Sequence, residues 1–203
     1  MNRFGKYSCV LNRYTKPGER GRFMRSYRLY ENVDPEDNIS GEYFDLVTQV
    51  NESMILDEIF QVVKNDIIKK GVGGCRSIAF ICEHEEDMRL KNYYDIVIIM
   101  KNLITNAIQC GASEIEVRTD VTDEKLIITV SDDGPGISPE HKPYIFTPRF
   151  STKEMKHDQA SGLGLYNVRK AVINSHGKLE VDSQPDQGTT FKVTFPLKAV
   201  LVK

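Results

Sequence analysis

The sequence predicts a chain of the α/β (α+β) kind, a two-layer sandwich in which a mixed β-sheet is covered on one face by helices. Three observations lead there. Apolar residues recur at helical spacing in three separate segments. Two pairs of strand-like segments are each joined by a short polar turn, which makes antiparallel neighbours. The order is helix, strand, helix, two strands, long loop, helix, two strands, so short and long connections alternate and the helices gather on one side of the sheet.

In chain order, residues 7–30 read as two strands around Lys16-Pro17-Gly18-Glu19. Pro followed by Gly marks a turn, and Tyr7, Val10, Tyr14, Phe23, Tyr27 and Tyr30 suit strands. Asn32 to Gly41 is polar with one Pro and reads as a linker. Leu56, Ile59, Phe60, Val63 and Ile67 fall on one helical face, and Gly71, Gly73 and Gly74 end that helix. Arg76 to Cys82 is a short strand, and a helix from Asn92 to Gln109 follows, closed by Gly111. Ser113–Thr119 and Lys125–Ser131 are strands. Residues 133–161 are a Pro- and Gly-rich loop. Gly164 to Ser175 is the third helix, and Lys178–Ser183 and Thr190–Leu197 pair around Gln187-Gly188. The expected division is a basic arm with a possible hairpin and linker at 1–41, then one domain at 42–203.

The 203 residues carry a net charge of −2, with 40% hydrophobic and 28% charged residues, as in a soluble globular protein. No apolar run approaches the ~18 residues of a membrane-spanning helix, and the N-terminus has no apolar stretch of a secretory signal. Cys9, Cys75, Cys82 and Cys110 show no metal or disulfide spacing, so reduced thiols and a cytoplasmic location are expected. The near-neutral total hides an asymmetry: eight basic and one acidic residue in 1–30, then nine acidic and no basic in 31–60. Basic residues among Phe and Tyr in 1–30 suit nucleic acid, an acidic protein face or anionic lipid. A solvated hairpin face beside the acidic stretch accounts for them as well, and nucleic acid is not the expected partner.

Four clusters carry chemistry. Asn102 and Asn106 are four apart on a helix and share a face, with Leu103, Ile104, Ala107 and Ile108 on the buried side. Two amide oxygens there can complete the shell of a hard cation that also holds phosphates; taken alone, the pair also reads as two exposed polar residues. Asp132-Asp133-Gly134-Pro135-Gly136-Ile137 follows a strand. A carboxylate at that strand end can accept a hydrogen bond from an exocyclic amine, while the same residues also make an ordinary tight turn. Ser161-Gly162-Leu163-Gly164-Leu165 opens the third helix, where free N–H groups suit an anion. Gly188-Thr189-Thr190-Phe191 lies between two strands and reads as a hairpin turn with a hydroxyl in reach of a pocket.

Together, over about residues 54–197, these clusters resemble the GHKL superfamily (gyrase B, the ninety-kilodalton heat-shock chaperone, histidine kinases, MutL) and its Bergerat ATP-binding fold. Asn102-x-x-x-Asn106 looks like the N box, Asp132-x-Gly134-x-Gly136 the G1 box, Gly162-x-Gly164 the G2 box and Gly188-Thr189-Thr190 the G3 segment. Ile145 to Lys153 resembles the F box of histidine kinases, and His176-Gly177-Lys178-Leu179-Glu180-Val181 the stretch after their G2 helix.

The resemblance implies ATP and Mg²⁺ as cofactors, bound between the N-box helix and the lid from G1 to G2. Asp132 would accept the adenine amino group, with Gly134, Gly136 and Ile137 beside it. Asn106, helped by Asn102, would hold Mg²⁺. The run Ser161, Gly162, Leu163, Gly164 and Leu165 would cradle the phosphates, and Thr190 would support the adenine side. Many histidine kinases have Lys where this chain has Gln109, and the first Gly of the G2 run is Ala160 here. Lys153, Lys156 or Arg149 would supply cationic help.

Hydrolysing branches and serine-directed kinases place a Glu where this chain has Asn102, and an amide cannot act as a general base. A neutral imidazole acceptor needs no such base. The resemblance therefore implies the catalytic module of a histidine kinase. Its partners would be a histidine-bearing dimerisation domain or phosphoacceptor protein and then a response regulator. A nucleotide-dependent switch for a protein partner and a slow ATPase are the alternatives. Of the chain's own histidines, His141 and His157 read as solvated loop residues and His176 as a helix C-terminal residue; His84-Glu85 only superficially echoes an acceptor box, since it lies near a strand end with no following Pro.

Overall fold

The computed structural model describes residues 7–15, 22–31, 54–70, 74–85, 88–152 and 162–202. The expected turn at Lys16–Glu19, the linker Asn32–Gly41, Gly71, Gly73 and the lid residues Lys153, Lys156, His157, Ala160 and Ser161 lie outside them.

Nine strands and four helices are described. Strands β1 (Tyr7–Thr15) and β2 (Arg22–Glu31) lead to β3 (Met54–Ile55) and helix α1 (Leu56–Lys70). Strands β4 (Ser77–Glu85) and β5 (Arg89–Leu90) precede helix α2 (Tyr93–Gln109). Then come β6 (Glu114–Val121), β7 (Lys125–Asp132), helix α3 (Gly164–Asn174), β8 (Lys178–Ser183), β9 (Thr189–Pro196) and the short helix α4 (Leu197–Val200). Seven strands form one sheet in the order β1-β2-β4-β6-β7-β9-β8. Only β4 and β6 pair in parallel, because α2 carries the chain back between them; every other neighbour is antiparallel. The hairpin read from residues 7–30 pairs Tyr7 with Glu31 through Thr15 with Phe23, and its second strand joins β4.

Alternation decides which face of the sheet is covered. Ile115, Val117 and Thr119 of β6, Leu126, Ile128 and Val130 of β7, and Phe191, Val193 and Phe195 of β9 are buried. Glu114 and Glu116 of β6 point the other way, to solvent. The covering layer is α1, α2 and α3. On α1 the stripe Leu56, Ile59, Phe60, Val63 and Ile67 is buried, and Phe60 meets Phe80 of β4 edge to face at 5.6 Å. On α2 the buried side is Ile96, Val97, Ile99, Met100, Leu103, Ile104 and Ala107, which turns Asn102 and Asn106 away from the core. Cys75 and Cys82 are buried thiols, Thr119 Oγ1 donates to Cys82 Sγ at 3.0 Å, and Cys110 is exposed.

A small second layer closes one end. β3 pairs with β5, Leu201 bridges Leu90, and Lys91 N–H donates to Val200 O at 2.8 Å. This ties the start of α1 to the residues after β9. No helix among the described residues is long and apolar enough to cross a membrane.

Candidate nucleotide site

The exposed side of α2, the turn after β7 and the start of α3 enclose one cavity of about 340 Å³. Its size falls within the range of small-molecule sites, roughly 300–1,000 Å³. Of the residues singled out in the sequence, Asn102, Asn106, Gln109, Gly136, Ile137, Gly162, Gly164 and Leu165 line it. Asp132, Gly134, Leu163 and Thr190 are not among its lining residues, and Ser161 lies outside the described residues. Thr105, Cys110, Ser138, His141, Ile145, Phe150, Ser151, Thr152 and Asn167 also line it and were not picked out as site residues.

Asn102 has a fixed orientation. Its Nδ2 donates to the Ile98 carbonyl one turn back at 2.7 Å. That leaves Oδ1 to face α3, where it lies 3.3 Å from the place a Cβ would take on Gly164. The two ends of the cavity wall, the N-box-like helix and the glycine-rich helix start, therefore meet at this oxygen. A hard cation needs oxygen ligands, and an amide whose nitrogen is already engaged presents only its oxygen.

The adjacent carboxylates have different jobs. Asp133 Oδ1 accepts the N–H groups of Ser113 and Glu114 at 2.7 and 2.8 Å and so anchors the start of β6. Asp132 Oδ1 accepts the Gly134 N–H at 2.9 Å. Burial pushes the Asp132 carboxyl above the ordinary aspartate range. The N–H groups of Gly134 and Thr189 pull it back in part, and the charge of Asp133 adds to the rise. Thr190 sits on the strand beside it and shares a 3.0 Å hydrogen bond with Ser131.

A contact the sequence did not reveal holds the G1-like turn. Ser183, at the end of β8, is buried. Its Oγ accepts the Ile137 N–H at 2.9 Å and donates to the Gly188 carbonyl at 2.9 Å. Thr189 Oγ1 lies 3.0 Å away and, with the Ser183 proton used, donates to it. Asp186 N–H reaches the Pro135 carbonyl at 2.8 Å. The β8–β9 turn is thus the buttress of the turn that carries Ile137. Ser183→Ala leaves the half-buried Ile137 N–H, the Gly188 carbonyl and the buried Thr189 hydroxyl without this partner, and the expected loss is about 1–3 kcal/mol of unfolding free energy, read by urea denaturation. A midpoint equal to the wild type would show that the buttress is dispensable.

The lid stem is also pinned. Phe146 packs edge-on against Phe191 with centroids 6.5 Å apart, and Ile145 is buried. Arg149 N–H donates to the Gly162 carbonyl at 3.0 Å. Arg149 and Gly162 therefore lie side by side at the start of α3.

The family model described as histidine kinase-, DNA gyrase B-, and HSP90-like ATPase matches residues 92–199. The chain is 33% identical over 165 residues to the sensor protein BceS of Bacillus subtilis (strain 168), covering 80% of this chain and 46% of that protein. It is 35% identical over 111 residues to a probable C4-dicarboxylate sensor kinase of the same organism, covering 52% of this chain and 20% of that one. Among solved structures, the catalytic domain of histidine kinase ThkA is 27% identical with a TM-score of 0.55, over 71% of this chain and 93% of that chain. The chain spans less than half the length of these curated relatives.

Proposed function

Because the chain belongs to the family of histidine kinase-, DNA gyrase B- and HSP90-like ATPases, we propose that it is the ATP-binding catalytic module of a histidine kinase. It binds Mg²⁺-ATP and transfers the γ-phosphoryl group to a histidine, in trans or on a dimerisation segment. A response regulator then takes the phosphoryl group. The observation that carries this reading is the state of Asn102. Where a hydrolase would need a carboxylate to activate water, the cavity has an amide, and its nitrogen is tied to Ile98 O.

The amide oxygens of Asn102 and Asn106 fit a hard cation, and they would hold Mg²⁺ together with the nucleotide phosphates. When bound, Mg²⁺ would offset negative charge on the phosphate oxygens. The chain's own residues do the rest. Asp132 accepts the adenine amine, with Gly134 and Gly136 allowing close approach and Ile137 against the ring. The backbone at Ser161, Gly162, Leu163, Gly164 and Leu165 donates to phosphate, Gln109 adds a neutral donor, and Thr190 supports the Asp132 strand. The acceptor imidazole brings its own lone pair, so positioning and electrostatics suffice for transfer.

The test is incubation of the chain with γ-labelled ATP and Mg²⁺, with and without a histidine-bearing dimerisation domain. Acid-labile label on that domain is the expected result. Free phosphate released without label on any protein would favour a hydrolase instead. Asn106→Ala is expected to lower the Mg²⁺-dependent part of ATP affinity about tenfold or more, measured by calorimetry with and without the metal. An identical metal dependence in the variant would remove Asn106 from the cation site.

A further inference from the structure

His141 lies on the helical turn after Ile137, where its N–H donates to the Ser138 carbonyl at 3.0 Å. It lines the same cavity as Asn102, Asn106 and Gly164. The ring is held in place. Ser138 Oγ is 2.9 Å from Nδ1, and Phe150 meets the imidazole edge-on with centroids 5.8 Å apart. Ser138 Oγ also donates to Glu140 Oε1 at 3.5 Å, and the same carboxylate oxygen lies 3.9 Å from His141 Nε2.

The rest of the described lining is neutral. It consists of amides, hydroxyls, backbone, apolar groups and the Cys110 thiol, and no Lys, Arg, Asp or Glu lines the cavity among the described residues. A nucleotide polyphosphate brings several negative charges into this space. We infer that His141 is a nucleotide-binding residue, its imidazole being the basic side chain that meets the polyphosphate in an otherwise neutral lining.

The charged and titratable groups around His141 are few. Its own turn carries Glu140 and Lys142, with the Tyr144 phenol one turn on. Phe150 opposite is uncharged. α2 presents Gln109 and Cys110 to the cavity, and α3 presents Leu165 and Asn167.

The inference rests on the nucleotide reading above, and the experiment separates the two. Mg²⁺-ADP is titrated by calorimetry into the wild type, His141→Gln and His141→Lys. His141→Gln keeps a polar partner for Ser138 without a basic group, and His141→Lys restores one. His141→Gln is expected to bind about fivefold more weakly than the wild type, the scale of a solvent-accessible charge pair. His141→Lys is expected to bind at least as tightly as the wild type. Equal affinity in the wild type and His141→Gln would overturn the role of His141 while leaving the nucleotide site intact. Absence of ADP binding by the wild type would overturn both. If His141→Gln does not melt like the wild type, the decision passes to His141→Lys, and weaker binding by that variant than by the wild type would overturn the role.

Discussion

Gly188→Ala is expected to lower the unfolding free energy by about 2–5 kcal/mol, which for a chain of this size is a fall in Tm of roughly 10 °C. Two effects add. Gly188 has φ +79°, a left-handed conformation that a residue with a Cβ adopts at a cost of about 1–2 kcal/mol. A Cβ there would also run into the carbonyl oxygen of Asp132, which is backbone of β7 and cannot swing aside. Gly136 on the facing turn is in the same position against the Gln184 carbonyl. Gly111 separates the two effects, since its φ is +88° but nothing lies within 4 Å of a Cβ built on it. Gly111→Ala is therefore expected to show only the conformational part. Thermal unfolding of both variants decides the matter, and equal losses would remove the steric contact from the account.

The long elements were legible because their patterns are long. Five apolar positions on α1 and the buried side of α2 repeat at the helical period, and all lie in the core. Strands β6, β7 and β9 alternate over eight residues each, so one register alone buries their apolar side. The two-residue strands β3 and β5 have no period to read. Neither does the bridge from Leu201 to Leu90, which depends on the end of β9 passing close to β5. The strands of the N-terminal hairpin were visible in Tyr7 to Tyr30, but their place beside β4 was not. Strand order depends on which edges meet in space, and local residue types do not encode that.

At the site, the spacing Asn102-x-x-x-Asn106 gives a shared face on any helix, and the apolar residues between them say which face is outward. The glycine pairs were equally visible. The buttress at Ser183 was hidden because it joins residues 46 positions apart, and a Ser at the end of a strand has no distinctive neighbours. The split between Asp132 and Asp133 was hidden for a related reason. Strand alternation sends them to opposite sides, and only the position of Ser113 and Glu114 shows that Asp133 is used to hold β6. In the sequence His141 reads as a solvated loop residue, because a turn from Ser138 has no periodic pattern and the contact of Ser138 Oγ with Nδ1 exists only in the fold.

Asp132→Asn is expected to separate stability from nucleotide binding in opposite directions. The wild-type carboxyl is held above its ordinary value of 3.8, chiefly by burial. Its proton is thus bound more tightly in the folded state than in the unfolded one. In the window from that ordinary value up to the raised one, the folded state carries more protons, so stability falls as pH rises. Above the window the full penalty of a partly desolvated charge is present. An Asn in the same place keeps an oxygen for the Gly134 N–H and carries no charge. The variant should therefore match or exceed the wild type in Tm at neutral pH, and the gap should close as pH falls below the window. Nucleotide affinity should move the other way. The Asn amide group points N–H donors where the carboxylate offered lone pairs, so an adenine amine meets a donor in place of an acceptor. The loss of one hydrogen bond to a charged acceptor, with a buried donor left facing another, corresponds to about a tenfold to hundredfold weaker Kd. Calorimetry with ATP and melting curves at several pH values read both effects on the same samples. An affinity unchanged in the variant would take Asp132 out of adenine recognition. A Tm that falls at neutral pH would mean that the Gly134 and Thr189 N–H groups stabilise the carboxylate by more than its burial costs.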